Sequence, residues 1–138
     1  MRFVDSNVFL YAILKPKRKL TKQEEELKDK AKRIYQRIID REEVILSVVH
    51  LSEIANVLED VANLASSINF IEEVYKTRNI HVEGVTKEEY LSAVLEAKNG
   101  NVSINDMLAY LIMARKGIKE IFSFDKHFDN LNVIRIEE

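Results

Sequence analysis

Short β-prone runs separated by long helical patterns constrain this chain more than any other feature. Residues 2–4, 44–48, 79–82, 120–124 and 132–136 cluster or alternate branched and aromatic side chains as strands do. The segments between them are too long for hairpins, and most carry apolar residues at helical spacing. Such connections are crossovers. The expected fold is therefore α/β, three layers α/β/α, around a mostly parallel five-stranded sheet.

The helical segments carry their own punctuation. Thr21-x-x-Glu24 and Thr86-x-x-Glu89 read as capping boxes, and Gly100 and Gly117 are placed to end helices in the left-handed conformation. Leu27, Ala31, Ile34 and Ile38 form one inward stripe. Leu51, Ile54, Leu58 and Val61 form another, and Phe70, Ile71 and Val74 a third, so that two helices pair as a hairpin. The five tyrosines mostly fall on such stripes and read as core.

A chain of 138 residues suits one domain, 1–138, with a single core. Apolar residues make up 46% and charged ones 32%, a composition of ordered globular proteins. With no Cys, disulfides, thiolate metal sites and thiol nucleophiles are all excluded. Residues 8–14 are too short an apolar run, and lack the basic leader, for a secretory signal. No segment reaches the roughly 20 apolar residues that span a bilayer, so the expected location is the cytosol, with no membrane partner. A net charge of −2 argues against a general polyanion binder, although the basic cluster 15–19 (KPKRK) is available to meet phosphates.

Four acids stand at comparable places in this layout. Asp5 follows the first strand, Glu53 is expected in the first turn of the helix after the second, and Asp106 opens the helix that starts at Ser103. Asp125 follows the 120–124 run. In an open parallel sheet the C-terminal ends of the strands share one edge, so residues remote in sequence converge there. Each acid alone is explained by a helix N-terminus, worth about 0.3–1 kcal/mol. Jointly they are not: two carboxylates about 4 Å apart repel by about 4 kcal/mol at an effective dielectric of about 20. No Lys or Arg stands in the immediate neighbourhood, within two residues, of Asp5, Glu53 or Asp106, so the natural counter-charge is a divalent cation. Oxygen donors without Cys or a His-x-x-x-His pair favour Mg²⁺ or Mn²⁺ over zinc. Such an ion supports chemistry on phosphates without a protein nucleophile. Ser6, Asn7, Asn105 and Ser123 are placed to orient the carboxylates or water, or else to serve turns and caps. His50, His81 and His127 share no metal spacing.

The stretches FVDSNVFLYAI, SVVHLSEIANVL, NDMLAYLIMARKG and FSFDKHFDNL resemble, in order and spacing, the PIN-domain ribonucleases, most of all the VapC-type toxins. The resemblance covers almost the whole chain. It implies a Mg²⁺-dependent endoribonuclease in which Asp5, Glu53, Asp106 and Asp125 form the acidic quartet and Ser123 is the hydroxyl before the last acid. Ser6 departs from the commoner Thr, and Asp129 stands close to the fourth position. The family further implies a homodimer and a small antitoxin partner; exposed apolar residues on the helices of residues 51–75 are the candidate dimer face, with core packing the alternative use for most of them. RNA, as single strands or loops, is the expected substrate, reached through Lys15, Lys17, Arg18, Arg115 and Lys116. A housekeeping RNA-processing nuclease and a non-catalytic binding module of the same fold are the alternatives. A dehalogenase-type phosphatase would need an acid where Asn7 stands, and a receiver domain would need an acidic pair beside the first strand.

Overall fold

Five strands and six α-helices follow one another as β1 (Arg2–Val4), α1 (Ser6–Ile13), α2 (Lys22–Ile39), β2 (Val44–Ser47), α3 (Val48–Val61), α4 (Leu64–Lys76), β3 (Ile80–Glu83), α5 (Lys87–Gly100), α6 (Ile104–Lys116), β4 (Glu120–Phe122) and β5 (Ile134–Ile136). A 3₁₀ turn, Lys126–Asn130, joins the last two strands. This computed structural model describes residues 1–138.

The strands form one sheet in the order β3-β2-β1-β4-β5, and every neighbouring pair is parallel. Phe3 in the central strand sits opposite Ile45 on one side and Ile121 on the other. All four residues of β2 are buried, as are Phe3 and Val4, so both faces of the sheet centre are covered. That is the expected three-layer, PIN-like architecture. No helix is long and apolar enough to cross a membrane.

Local chemistry explains most element ends and corrects several expectations. Thr21 and Glu24 form the reciprocal capping box. Thr86 caps α5 through the Glu89 amide, but the Glu89 carboxylate turns to Arg115 instead of closing its box. Val48 belongs to α3 rather than to β2, because the Ser47 hydroxyl accepts from the amides of Val49 and His50 and starts the helix there. Asn79 precedes β3; its amide group donates to the carbonyls of Ile38 and Glu42. The terminal strands likewise stop short of the predicted 124 and start after 132.

Gly117 takes the left-handed conformation at φ 69° as predicted, whereas Gly100 does not: Asn101 does, at φ 53°. Gly100 is helical, and its missing side chain makes room for Met107, whose Cε lies 2.5 Å from where a Cβ would stand. The α3–α4 hairpin forms, with Ser67 Oγ donating to the Ala55 carbonyl at 2.8 Å. Val61 is partly exposed rather than inward, and Tyr11 and Tyr75 lie largely outside the core.

Candidate active site

The strand order reverses between β1 and β4, where connections leave in opposite directions. A crevice opens there, beyond the C-terminal ends of the strands, which is where open parallel sheets place their ligands. Its volume is about 570 Å³, and Asp5, Glu53, Asp106 and Asp125 all line it, with Asn7, Lys98 and His127.

Asp5 is the innermost of the four and holds the N-cap position of α1, yet its carboxylate makes no capping hydrogen bond. The Asn7 amide is near enough to favour the charged form slightly, without hydrogen-bond geometry. Asp5 Oδ2 instead accepts from Ser123 Oγ at 2.7 Å. Ser123 is fully buried just past β4, and its Oγ also accepts from the Asp125 amide at 3.0 Å. The Asp5 amide donates to the Phe122 carbonyl, extending the β1–β4 pairing by one step and aligning these groups.

Glu53 sits in the second turn of α3, not the first, because the helix begins at Val48. Its distance from the helix end weakens the macrodipole explanation for an acid there. Asn105 Nδ2 donates to Glu53 Oε1 at 2.9 Å, and Tyr90 Oη donates to Asn105 Oδ1 at 3.2 Å. The Asn105 carbonyl accepts from His50 Nε2, so His50 Nδ1 must in turn accept from Ser47 Oγ. Burial holds the His50 pKa down to about 4, which keeps the ring neutral in this chain of bonds.

Asp106 lies in the first turn of α6, but the cap of that helix is the Ser103 hydroxyl, which accepts from the Asp106 amide. Asp125 alone does cap duty, accepting from the His127 amide. It lies three residues beyond β4, and Oδ1 also accepts from His127 Nδ1 at 2.8 Å. Asp129 turns elsewhere and pairs with Arg135 at 3.0 Å.

No Lys or Arg forms an ion pair with any of the four acids, although Lys98 reaches the crevice rim. Burial, then the charges of Asp125 and Glu53, push the Asp5 pKa up to about 6 against the opposing Ser123 bond. Burial and the charges of Asp5 and Asp125 push Asp106 up to about 6. Glu53 is raised as well, chiefly by burial and further by Asp106. The charges of neighbouring acids thus add to burial in raising three of the carboxyls that line this one crevice. Their chemistry suits a hard divalent cation: four carboxylates, excess negative charge and no Lys or Arg paired with any of them. No three acidic or His side chains gather closely enough to make a ready-made metal cage. Such a cage is not required, since Mg²⁺ keeps several waters and takes few direct carboxylates.

Among the other predicted site residues, Asn7, Asn105 and Ser123 stand in or directly behind the crevice. Ser6 does not: its Oγ donates to the His50 carbonyl at 3.2 Å and ties α1 to α3. Arg115 pairs with Glu83 and Glu89, and Lys116 with Glu83. His127, set aside in the sequence for want of metal spacing, and Lys98, which the sequence reading passed over, are both crevice residues. The Asp-x-His spacing at 125–127 was a local signal for the first; the second is placed only by the packing of α5.

The PIN domain family matches residues 2–134. In three dimensions the chain is similar to Mycobacterium tuberculosis VapC20, described as a sarcin-ricin loop cleaving toxin. That similarity has a TM-score of 0.75 at 18% identity and covers 99% of this chain and 98% of the other. No curated protein sequence matches the chain.

Proposed function

The chain belongs to the PIN-domain family, and from that premise we propose that the whole of residues 1–138 acts as one metal-dependent endoribonuclease domain of the toxin type. The observation that carries this reading is the convergence of four carboxylates in one crevice, none of them paired with a Lys or Arg. Asp5, Glu53, Asp106 and Asp125 would hold Mg²⁺ or Mn²⁺. A cation bound there supplies activation of water for in-line attack on a phosphodiester and neutralises charge on the phosphate.

The protein's own groups fix the arrangement. Ser123 holds Asp5 in one rotamer, the Tyr90–Asn105 pair holds Glu53, and His127 holds Asp125. Asn7 and Lys98 at the rim are placed to meet the substrate's polar and anionic groups. The similarity to a loop-cleaving toxin favours a single-stranded or looped RNA as substrate, and a small antitoxin as partner. Exposed Leu64, Ile68 and Tyr75 on α4 favour that helix as the face of a homodimer.

Cleavage of single-stranded RNA by the wild-type protein, Asp5→Asn and Asp106→Asn tests the assignment. We expect cleavage with Mg²⁺ or Mn²⁺ that chelator abolishes and either substitution lowers at least about a hundredfold. Equal cleavage by all three proteins would reject it.

A further inference from the structure

A second concavity shares a wall with the acidic crevice: Asn7 lines both. This groove, about 670 Å³, lies between α1, residues 14–20 and α2. Its floor is apolar, with Leu10, Leu14 and Leu27, and its rim is the basic cluster. Arg18 is engaged by Glu24 at 2.7 Å, and Lys28 donates to the carbonyls of Tyr11 and Leu14 at the end of α1. Lys15 and Lys17 pair with no carboxylate, and Pro16 between them stiffens the segment that carries them.

Tyr11 links the groove that holds these two lysines to the side of the acids through Phe124. It lines the groove, is 43% exposed, and meets the Phe124 ring edge-on with centroids 5.9 Å apart. Phe124 immediately precedes Asp125. An aromatic step thus separates a crevice suited to a cation from a rim suited to phosphates. A nucleic acid strand alternates these same features, an anionic group at each link and a flat base beside it. Stacking on an aromatic ring accepts any base, and lysines beside it follow the backbone. The strand needs this route, since the acidic crevice walls repel every phosphate other than the one over the cation.

We propose that single-stranded RNA leaves the crevice across Tyr11, which stacks the base next to the cleaved phosphodiester, while Lys15 and Lys17 hold the phosphates that follow. The subsite rests on the nuclease reading above. It assigns the groove to RNA rather than to a protein partner, because two unpaired cations and a half-exposed ring in one lining match a phosphate–base repeat.

Fluorescence anisotropy with a labelled single-stranded RNA of about 12 nucleotides, in chelator so that nothing turns over, reads the subsite directly. Wild-type cleavage with Mn²⁺ is followed in parallel. Tyr11→Ala should weaken binding about tenfold, and Tyr11→Phe, which keeps the ring, should bind as wild type. The double variant Lys15→Gln/Lys17→Gln should lower the slope of log affinity against log salt by about 1.4, two single-strand phosphate contacts. Unchanged affinity and slope in the variants, with wild-type cleavage intact, would overturn the subsite alone and leave the groove to a protein partner. No RNA binding by wild type in chelator would also overturn it, since neither Tyr11 nor the lysines need a metal. Weakened binding in the variants without any cleavage would overturn the nuclease reading and leave an RNA-binding groove.

Discussion

Asp5 sits at a helix N-cap, yet its carboxylate is spent on Ser123, 118 residues away, rather than on the helix. A buried acid used in this way destabilises the metal-free fold. Its folded pKa of about 6 lies above its ordinary value, so between these limits the folded state holds its proton more firmly than the unfolded chain does. Stability from this group is therefore full at acid pH and is lost as pH rises through about 6. We predict that Asp5→Asn, which still accepts from Ser123, stabilises the metal-free protein by on the order of 1–3 kcal/mol at pH 7.5. At pH 4.5 the gain should largely vanish. Urea denaturation at both pH values in chelator checks this, and a destabilised variant at pH 7.5 would contradict it. The four acids were legible in sequence because each interrupts or opens an apolar run. The use of each was not, since capping and clustering require the same residue at the same place; only tertiary packing showed that Asp125 alone caps. Ser6 likewise offered two uses in sequence, and its hydroxyl is claimed by a carbonyl 44 residues away.

At the scale of elements, hydroxyl caps place the site. Ser47 starts α3 and so sets how far down that helix Glu53 falls; Ser103 starts α6 and turns Asp106 toward the crevice. Ser47 is fully buried and also donates to His50, which reaches α6 through the Asn105 carbonyl. Ser47→Ala should therefore cost about 1–3 kcal/mol, combining a lost cap with an orphaned imidazole nitrogen. Thr86→Ala, at an exposed half-box, should cost about 1 kcal/mol or less. Denaturant midpoints for the two variants rank the effects, and an equal ranking would deny Ser47 its dual role. The parallel sheet itself was readable from the long connections between short runs. Element ends were less so: Gly100 looked like a stop, but the close approach of Met107, absent from any local pattern, decided its use.

The whole molecule follows from one topological fact, a parallel sheet whose connections part between β1 and β4. That divergence opens a crevice at the strand ends and brings together carboxylates from four distant segments. We predict that a doubly charged ion joining them relieves their mutual repulsion at neutral pH and that its uptake is proton-linked. Titration calorimetry with Mn²⁺ at pH 6, in buffers of differing ionisation enthalpy, tests this most directly. With Asp5 and Asp106 both raised to about 6, binding should release roughly one proton, and Asp106→Asn should abolish or severely weaken it. Absence of Mn²⁺ binding, or equal affinity in Asp106→Asn, would contradict the account.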